Sequence, residues 1–169
     1  MLCGDTGCPI CYIVNDMSDD FVEIEYPEPE YALFETSLEG MPAIVVVNAA
    51  LQSFPHPDVF AWHLSIQINA NKMAEQGMPT SEESEVIGAV GDEIEKVVLA
   101  DSNALFLARQ TWNGTRHLIY LVHDPDRAND ALQVLLAQPT SKREWDFRMD
   151  HDPSWSLAAP YLALFESAL

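Results

Sequence analysis

The sequence predicts an α+β domain, and three observations carry that reading. The first is Asn113-Gly114, set between two apolar runs, residues 103–112 and 115–123. Asn-Gly is a strong hairpin signal, because a type I′ turn needs positive φ at both central positions. The second is a clean alternation over residues 61–70: Trp62, Leu64, Ile66 and Ile68 face one way, and His63, Ser65, Gln67 and Asn69 the other. The third is a pair of helix starts flanking the hairpin. Thr80 and Glu83 have capping-box spacing, and Asp124-Pro125 offers an N-cap followed by proline at the first helical position. From residue 61 the order is therefore β-α-β-β-α-β, the ferredoxin-like split arrangement. An extra N-terminal strand or helix and a C-terminal helix elaborate it.

The elements follow in order. Residues 1–17 read as a flexible N-terminal extension, and residues 18–169 as a single ferredoxin-like α+β domain, with Met17 close to where the folded part begins. Val22, Ile24 and Tyr26 alternate with Glu23 and Glu25 and suggest a short edge strand. Tyr31, Phe34 and Leu38 fall at helical spacing, so residues 31–39 predict a short helix stopped by Gly40. Residues 43–50 are a β-branched run and predict a strand. The proline-rich loop 53–58 then suggests a long hairpin of 43–50 with 61–70.

Beyond Pro79 the helix predicted after Thr80 carries an apolar stripe of Val86, Ile87, Val90, Ile94, Val97 and Val98. Gly88 and Gly91 each weaken it by about 1 kcal/mol, a loss that close packing on the sheet would offset. A two-residue loop at Asn113-Gly114 sets Trp112 opposite Thr115, and then pairs 111–116, 110–117, 109–118 and 108–119. A second helix over 125–138 turns Ala128, Ala131, Leu132, Leu135 and Leu136 inward and closes at Pro139. Residues 144–150 alternate again, with Trp145, Phe147 and Met149 on one face and Asp146 and Arg148 on the other. Asp152-Pro153 begins the last segment, and Pro160 interrupts it before a helix through Phe165.

Composition narrows the function classes. Asp plus Glu number 27 against 8 Lys plus Arg, a formal net charge of -19, and no Lys or Arg precedes Lys72. Such a molecule repels phosphate backbones and anionic membranes, so neither nucleic acid nor membrane is an expected partner. Solubility accounts for the charge simply, and a basic protein partner accounts for it functionally. There is no apolar run long enough to span a bilayer. The first residues carry Asp5 and no cation, so they do not read as a secretory signal. With all three cysteines in the first eleven residues there is no disulfide framework, and a reducing cytoplasm is the default. Cys8-Pro9-Ile10-Cys11 has knuckle or redox spacing, with Cys3 as a third thiol. A zinc site needs a fourth ligand, and an inert extension is the plainer reading.

No nucleophile elbow, phosphate loop or dinucleotide loop is present, so no catalytic residues and no cofactor are assigned. The candidate binding surface is His63, Gln67, Arg109, Arg116, His117 and Arg148. The hairpin register sends His117 and Gln110 to one face and Arg109 and Arg116 to the other. Two functional readings result. One is a non-catalytic protein-interaction or regulatory domain, binding a protein partner or forming a homodimer. The alternative is a small hydrolase or small-ligand-binding domain using a polar sheet face near His63, Arg116 and His117. Ser65 and His63 share a face but do not make a triad.

Residues 41–48, the segment 77–83, the turn 111–116 and Asp152-Pro153-Ser154-Trp155 resemble a bacterial family catalogued as domain of unknown function 695. The resemblance runs from about residue 30 to 165, and the residues that match its recurrent positions are Gly77, Gly114, Arg116, Asp152 and Trp155. Residues 156–160 depart from the aromatic-richer form of the family. The family is similar in fold to the regulator B inhibitor of ribonuclease E. The resemblance implies an uncharacterised, acidic interaction domain and supplies no reaction. Arg116 is expected to secure the domain edge, with Asp152 as a candidate partner.

Overall fold

The computed structural model describes residues 10–14, 21–138 and 142–167. Its strands are β1 (Ile10–Val14), β2 (Phe21–Glu25), β3 (Tyr31–Leu38), β4 (Met41–Asn48), β5 (Trp62–Asn69), β6 (Ala104–Trp112), β7 (Thr115–Val122) and β8 (Trp145–His151). The helices are α1 (Ser81–Val98), α2 (Pro125–Leu136), α3 (Ala159–Leu162) and α4 (Leu164–Ser167). The class is α+β. Six strands form one sheet in the order β3-β4-β6-β7-β5-β8, each neighbouring pair antiparallel. β1 and β2 pair with each other in a separate antiparallel ribbon. No described helix is long and apolar enough to cross a membrane.

The central hairpin has the register expected of a two-residue loop: Trp112 opposite Thr115, Gln110 opposite His117, and Ala108 opposite Ile119. Asn113 and Gly114 have φ of 46° and 72°, the left-handed pair that a type I′ turn demands. A bulge near Leu107 shifts the register before Phe106 meets Tyr120.

Each sheet face has its own apolar layer. On one, Leu64, Ile66, Leu118 and Tyr120 pack against Ile87, Val90 and Ile94 of α1 and Leu132 of α2. The even spacing on β5 and β7 meets the 3.6-residue period on the helices. Gly91 is buried in this contact. A Cβ added there would lie 3.4 Å from Leu118 Cδ1 and 3.8 Å from Ile68 Cδ1, so the glycine sets how closely α1 lies on the sheet. On the other face, Val45, Val47, Leu105, Ile119 and Leu121 pack against Leu51, Phe60, Trp155 and Ala158.

The start of α1 is built differently from a reciprocal capping box. Thr80 Oγ1 accepts from the Glu83 N–H at 3.2 Å, as the spacing predicts. The Thr80 N–H, however, donates to Lys72 O. The Glu83 carboxylate, 1% exposed, instead accepts two bonds from the Arg143 guanidinium at 2.6 and 2.8 Å and one from the Asn71 N–H at 2.8 Å. It thereby joins α1 to the segment entering β8. α2 begins as expected, with Asp124 accepting from the Arg127 N–H.

Three expectations are corrected. Residues 31–39 form strand β3, not a helix. Glu39 and Gly40 have φ of 50° and 79°, so Gly40 completes a second two-residue hairpin turn, with Leu38 opposite Met41. A glycine with positive φ ends a helix and closes a hairpin equally well, and pairing with the β-branched β4 decides between them. Second, residues 43–50 do not pair with 61–70. β4 lies between β3 and β6, and β5 between β7 and β8. The proline-rich segment carries the chain across the sheet, with Leu51 1% and Phe60 0% exposed beneath it. Third, Pro160 does not interrupt a helix: it sits in the first turn of α3, where its missing N–H has no helical acceptor to leave vacant. Residues 139–141, including the expected helix stop at Pro139, lie outside the described residues, as does most of the expected extension 1–17. Within that extension β1 pairs with β2.

Candidate functional site

Alternation along the strands divides the six candidate residues between the two faces. Arg109 and Arg116 lie on the helix-covered face, since Arg109 pairs with Leu118 and Arg116 with Ile68. His63, Gln67, His117 and Arg148 lie on the opposite face. Arg109 and Arg116 border one depression, and His63 and Arg148 a different one.

On the helix side, the two long helices leave part of the sheet open. Five strand spacings of about 4.8 Å make the sheet about 24 Å wide, and two helices packed about 10 Å apart cover roughly four strands. The uncovered part is β3 and β4. Tyr31 and Leu33 project from it 60% and 63% exposed, flanked by the half-buried Ile44 and Val46. Between this shelf and α1 runs a cleft of about 180 Å³. Phe106 forms part of its floor and meets Tyr31 edge-on, with ring centroids 5.8 Å apart.

The cleft also contains charge of both signs. Asp92 and Glu95 reach it from α1, and Arg109 and Arg116 from the sheet. Arg116 Nε donates to Thr111 Oγ1 at 3.2 Å, and its Nη1 approaches Ser84 O at 3.5 Å. It passes over Gly88, where an added Cβ would stand at an ordinary contact distance of 3.7 Å from Nη1. Burial, then the neighbouring Arg109, lowers the Arg116 guanidinium to about 10, against the pull of Asp92. Tyr120, fully buried, donates to Glu95 at 3.1 Å, and burial followed by that carboxylate raises its phenol. Arg116 thus secures the sheet to α1. Asp152 is not its partner: that carboxylate lies beyond β8 and accepts the Ser156 and Leu157 N–H groups at 2.9 and 2.8 Å.

On the opposite face a trough of about 490 Å³ lies between the sheet and the C-terminal segment. Its floor takes a residue or two from each strand of the sheet, among them Thr36, Val45, Gln110, Ile119, His63 and Arg148. Leu157, Tyr161 and Leu164 overhang it. Trp155 anchors this roof: its indole N–H donates to Phe60 O at 3.0 Å, and its ring stacks on Phe54 at 5.5 Å. His63 is 6% exposed and its Nδ1 has no hydrogen-bond partner. Burial lowers its imidazole, against Asp152 and Asp150, so the neutral ring is favoured. His117 is likewise lowered by burial, against Asp146. Gln67 donates to Asn69 at 3.0 Å, and Arg148 donates to Asp150 at 2.7 Å.

Among the described residues no group of three or more His, Cys, Asp or Glu is placed to hold a metal. Cys3 and Cys8 lie outside those residues, and of Cys11 only the strand position is described. Sequence reasoning missed Tyr31, Leu33, Asp92, Glu95 and the roof residues Leu157 and Tyr161. The β-branched run after Gly40, which needs a strand partner, was the signal that could have revealed the first two.

With both depressions described, comparison with known proteins gives one match. A model of the family of unknown function DUF695 matches residues 30–162. The chain belongs to that family. No curated protein and no solved structure matches it. Of the residues expected to match recurrent family positions, Gly77 and Gly114 meet through a 2.7 Å backbone bond from the Gly114 N–H to Gly77 O. Together with Asp152 and Trp155, they act in holding the turn and the trough's roof.

Proposed function

We propose that this DUF695 protein is a non-catalytic interaction domain that seats a basic amphipathic helix of a protein partner on the β3–β4 shelf. The observation that carries the reading is the pair Tyr31 and Leu33, each more than half exposed beside a gap one helix wide in the layer over the sheet. A third helix there would continue that layer and bury both side chains. Asp92 and Glu95 line the cleft beside Arg109 and Arg116, Glu35 is exposed on the same face of β3, and the net charge of -19 draws a cationic segment towards them. We read residues 62–151 as a ferredoxin-like unit, and the fold similarity to the regulator B inhibitor of ribonuclease E that the family resemblance implies favours a regulatory role. A reducing cytoplasm is the setting that the early cysteines favour, and the family resemblance favours a bacterial one. The hydrolase alternative loses support because the candidate residues divide between two faces and His63 Nδ1 has no bond from Ser65.

The test pairs a defined probe with a native bait. A Leu/Lys amphipathic helical peptide is titrated against the wild type and Leu33→Asp, alongside its Leu/Glu counterpart, and lysate pull-downs are run at low and high salt. The expected result is salt-sensitive binding of the Lys peptide alone, weakened at least about tenfold by Leu33→Asp, a loss of about 1.4 kcal/mol. Equal binding of both peptides, or no effect of Leu33→Asp, overturns the reading. Concentration-dependent dimerisation abolished by the same substitution would assign the shelf to a second copy instead.

A further inference from the structure

We propose that the trough on the face opposite the long helices is a binding site for an elongated, uncharged amphiphile with an oxygen acceptor in its head group, the class of medium-chain amides, esters and alcohols. It is independent of the helix-docking shelf, which lies across the sheet.

Size and wall chemistry set the class. A volume of about 490 Å³ falls within the range of small-molecule pockets. The β3–β4 end is mainly apolar, with Leu38 and Val45 beside Thr36, and so is the roof, with Leu157 and Leu164. His63, Ser65, Gln110, Arg148 and Asp150 place the polar groups towards the other strands. The trough is therefore graded from an apolar end to a hydrogen-bonding one.

The state of His63 sets the head group. Its ring is buried, and Nδ1 has no partner. A buried N–H without an acceptor is rarer than a buried lone pair without a donor, so the neutral ring carries its proton on Nε2. Nε2 then carries the ring's donor, on the side of the trough that Ser65 also lines. An acid head is disfavoured. The Arg148 guanidinium is taken by Asp150 at 2.7 Å, the Asp152 carboxylate lies close enough to act on His63, and the whole surface is anionic. An amide or alcohol oxygen accepts the same bond without that repulsion.

The test titrates octanamide and octanoate into the protein near neutral pH, following the imidazole nitrogens of His63 and the ring of Tyr161 by NMR. Octanamide is expected to shift both sets saturably, with octanoate at least about tenfold weaker. His63→Phe removes the donor while keeping the ring volume, and circular dichroism checks its fold. Leu157→Glu alters a residue already 44% exposed, and so tests the trough without disturbing the core. Each variant is expected to weaken octanamide at least about tenfold. No saturable shift, equal binding of octanoate, or unchanged binding in either folded variant overturns the proposal.

Discussion

At the scale of single residues, the buried Glu83 carboxylate is the most consequential charge in the molecule. The Arg143 fork, then the Asn71 N–H, hold it down from 4.5 to about 2 against the effect of burial. A folded-state value below the unfolded one means that the charged form is favoured by folding. That stability is complete above about pH 4.5 and is lost as pH falls towards 2. His63 and His117 add an earlier stage. Burial lowers both below the ordinary 6.5, so their neutral forms favour the fold, and acidification through and below 6.5 withdraws that contribution. Urea denaturation across this pH range is expected to show both stages, with Glu83→Gln removing the lower and His63→Gln with His117→Gln reducing the upper. Arg143→Met strands Glu83 in the interior and is expected to cost about 3 kcal/mol. A loss near zero would show the carboxylate to be solvated. The capping-box spacing made Glu83 visible in the sequence. Its partner, sixty residues away, had no local signal.

At the scale of elements, two hairpins with the same turn geometry were unequally legible. Asn113-Gly114 announced itself through residue type, and the pairing it predicts is the pairing found. Glu39-Gly40 has the same signs of φ, but glutamate gives no hint of them, and the Tyr31, Phe34 and Leu38 spacing mimics a helix. The two glycines should also respond differently to substitution. Nothing lies within 4 Å of a Cβ added at Gly40, so Gly40→Ala meets backbone strain alone, about 1 kcal/mol. Gly114 is buried against Met73, so an added Cβ also obliges that exposed side chain to swing aside, and Gly114→Ala is expected to lose slightly more. Thermal melts of the two variants give the order directly, and a reversed order would contradict the packing. Gly91 is a third case: Gly91→Leu should separate α1 from the sheet and destabilise by about 1–3 kcal/mol, whereas an alanine fits at ordinary contact distance from Ile68 and a tight one from Leu118.

For the whole molecule, local patterns revealed the strands and helices from residue 61 onward, but not which strands become neighbours. The separation of β4 from β5 depends on a crossing over the far face, and no short stretch encodes that. The trough was illegible for the same reason. Its floor collects alternate residues from every strand of the sheet, and its roof comes from the end of the chain. The excess of acidic residues, by contrast, was plain from composition and has a global consequence. Self-repulsion at -19 opposes compaction, so added sodium chloride is expected to raise the melting temperature. A melt insensitive to salt would mean that the charges are too dispersed to matter.

The position of the β6–β7 hairpin has a further consequence for how the chain comes together. In space it lies between β4 and β5, yet it is made after both. A nascent chain that has emerged only as far as α1 therefore holds two apolar strands with no means of joining them. The β3–β4 ribbon can close early, but its inner edge must wait for β6. The two halves of the sheet are thus joined by an insertion, possible only once residue 122 is free of the ribosome, and β8 is added to the β5 edge later still. A fragment ending before Ala104 is expected to lack the cooperative melt of the full chain, and to gain it when the hairpin is supplied.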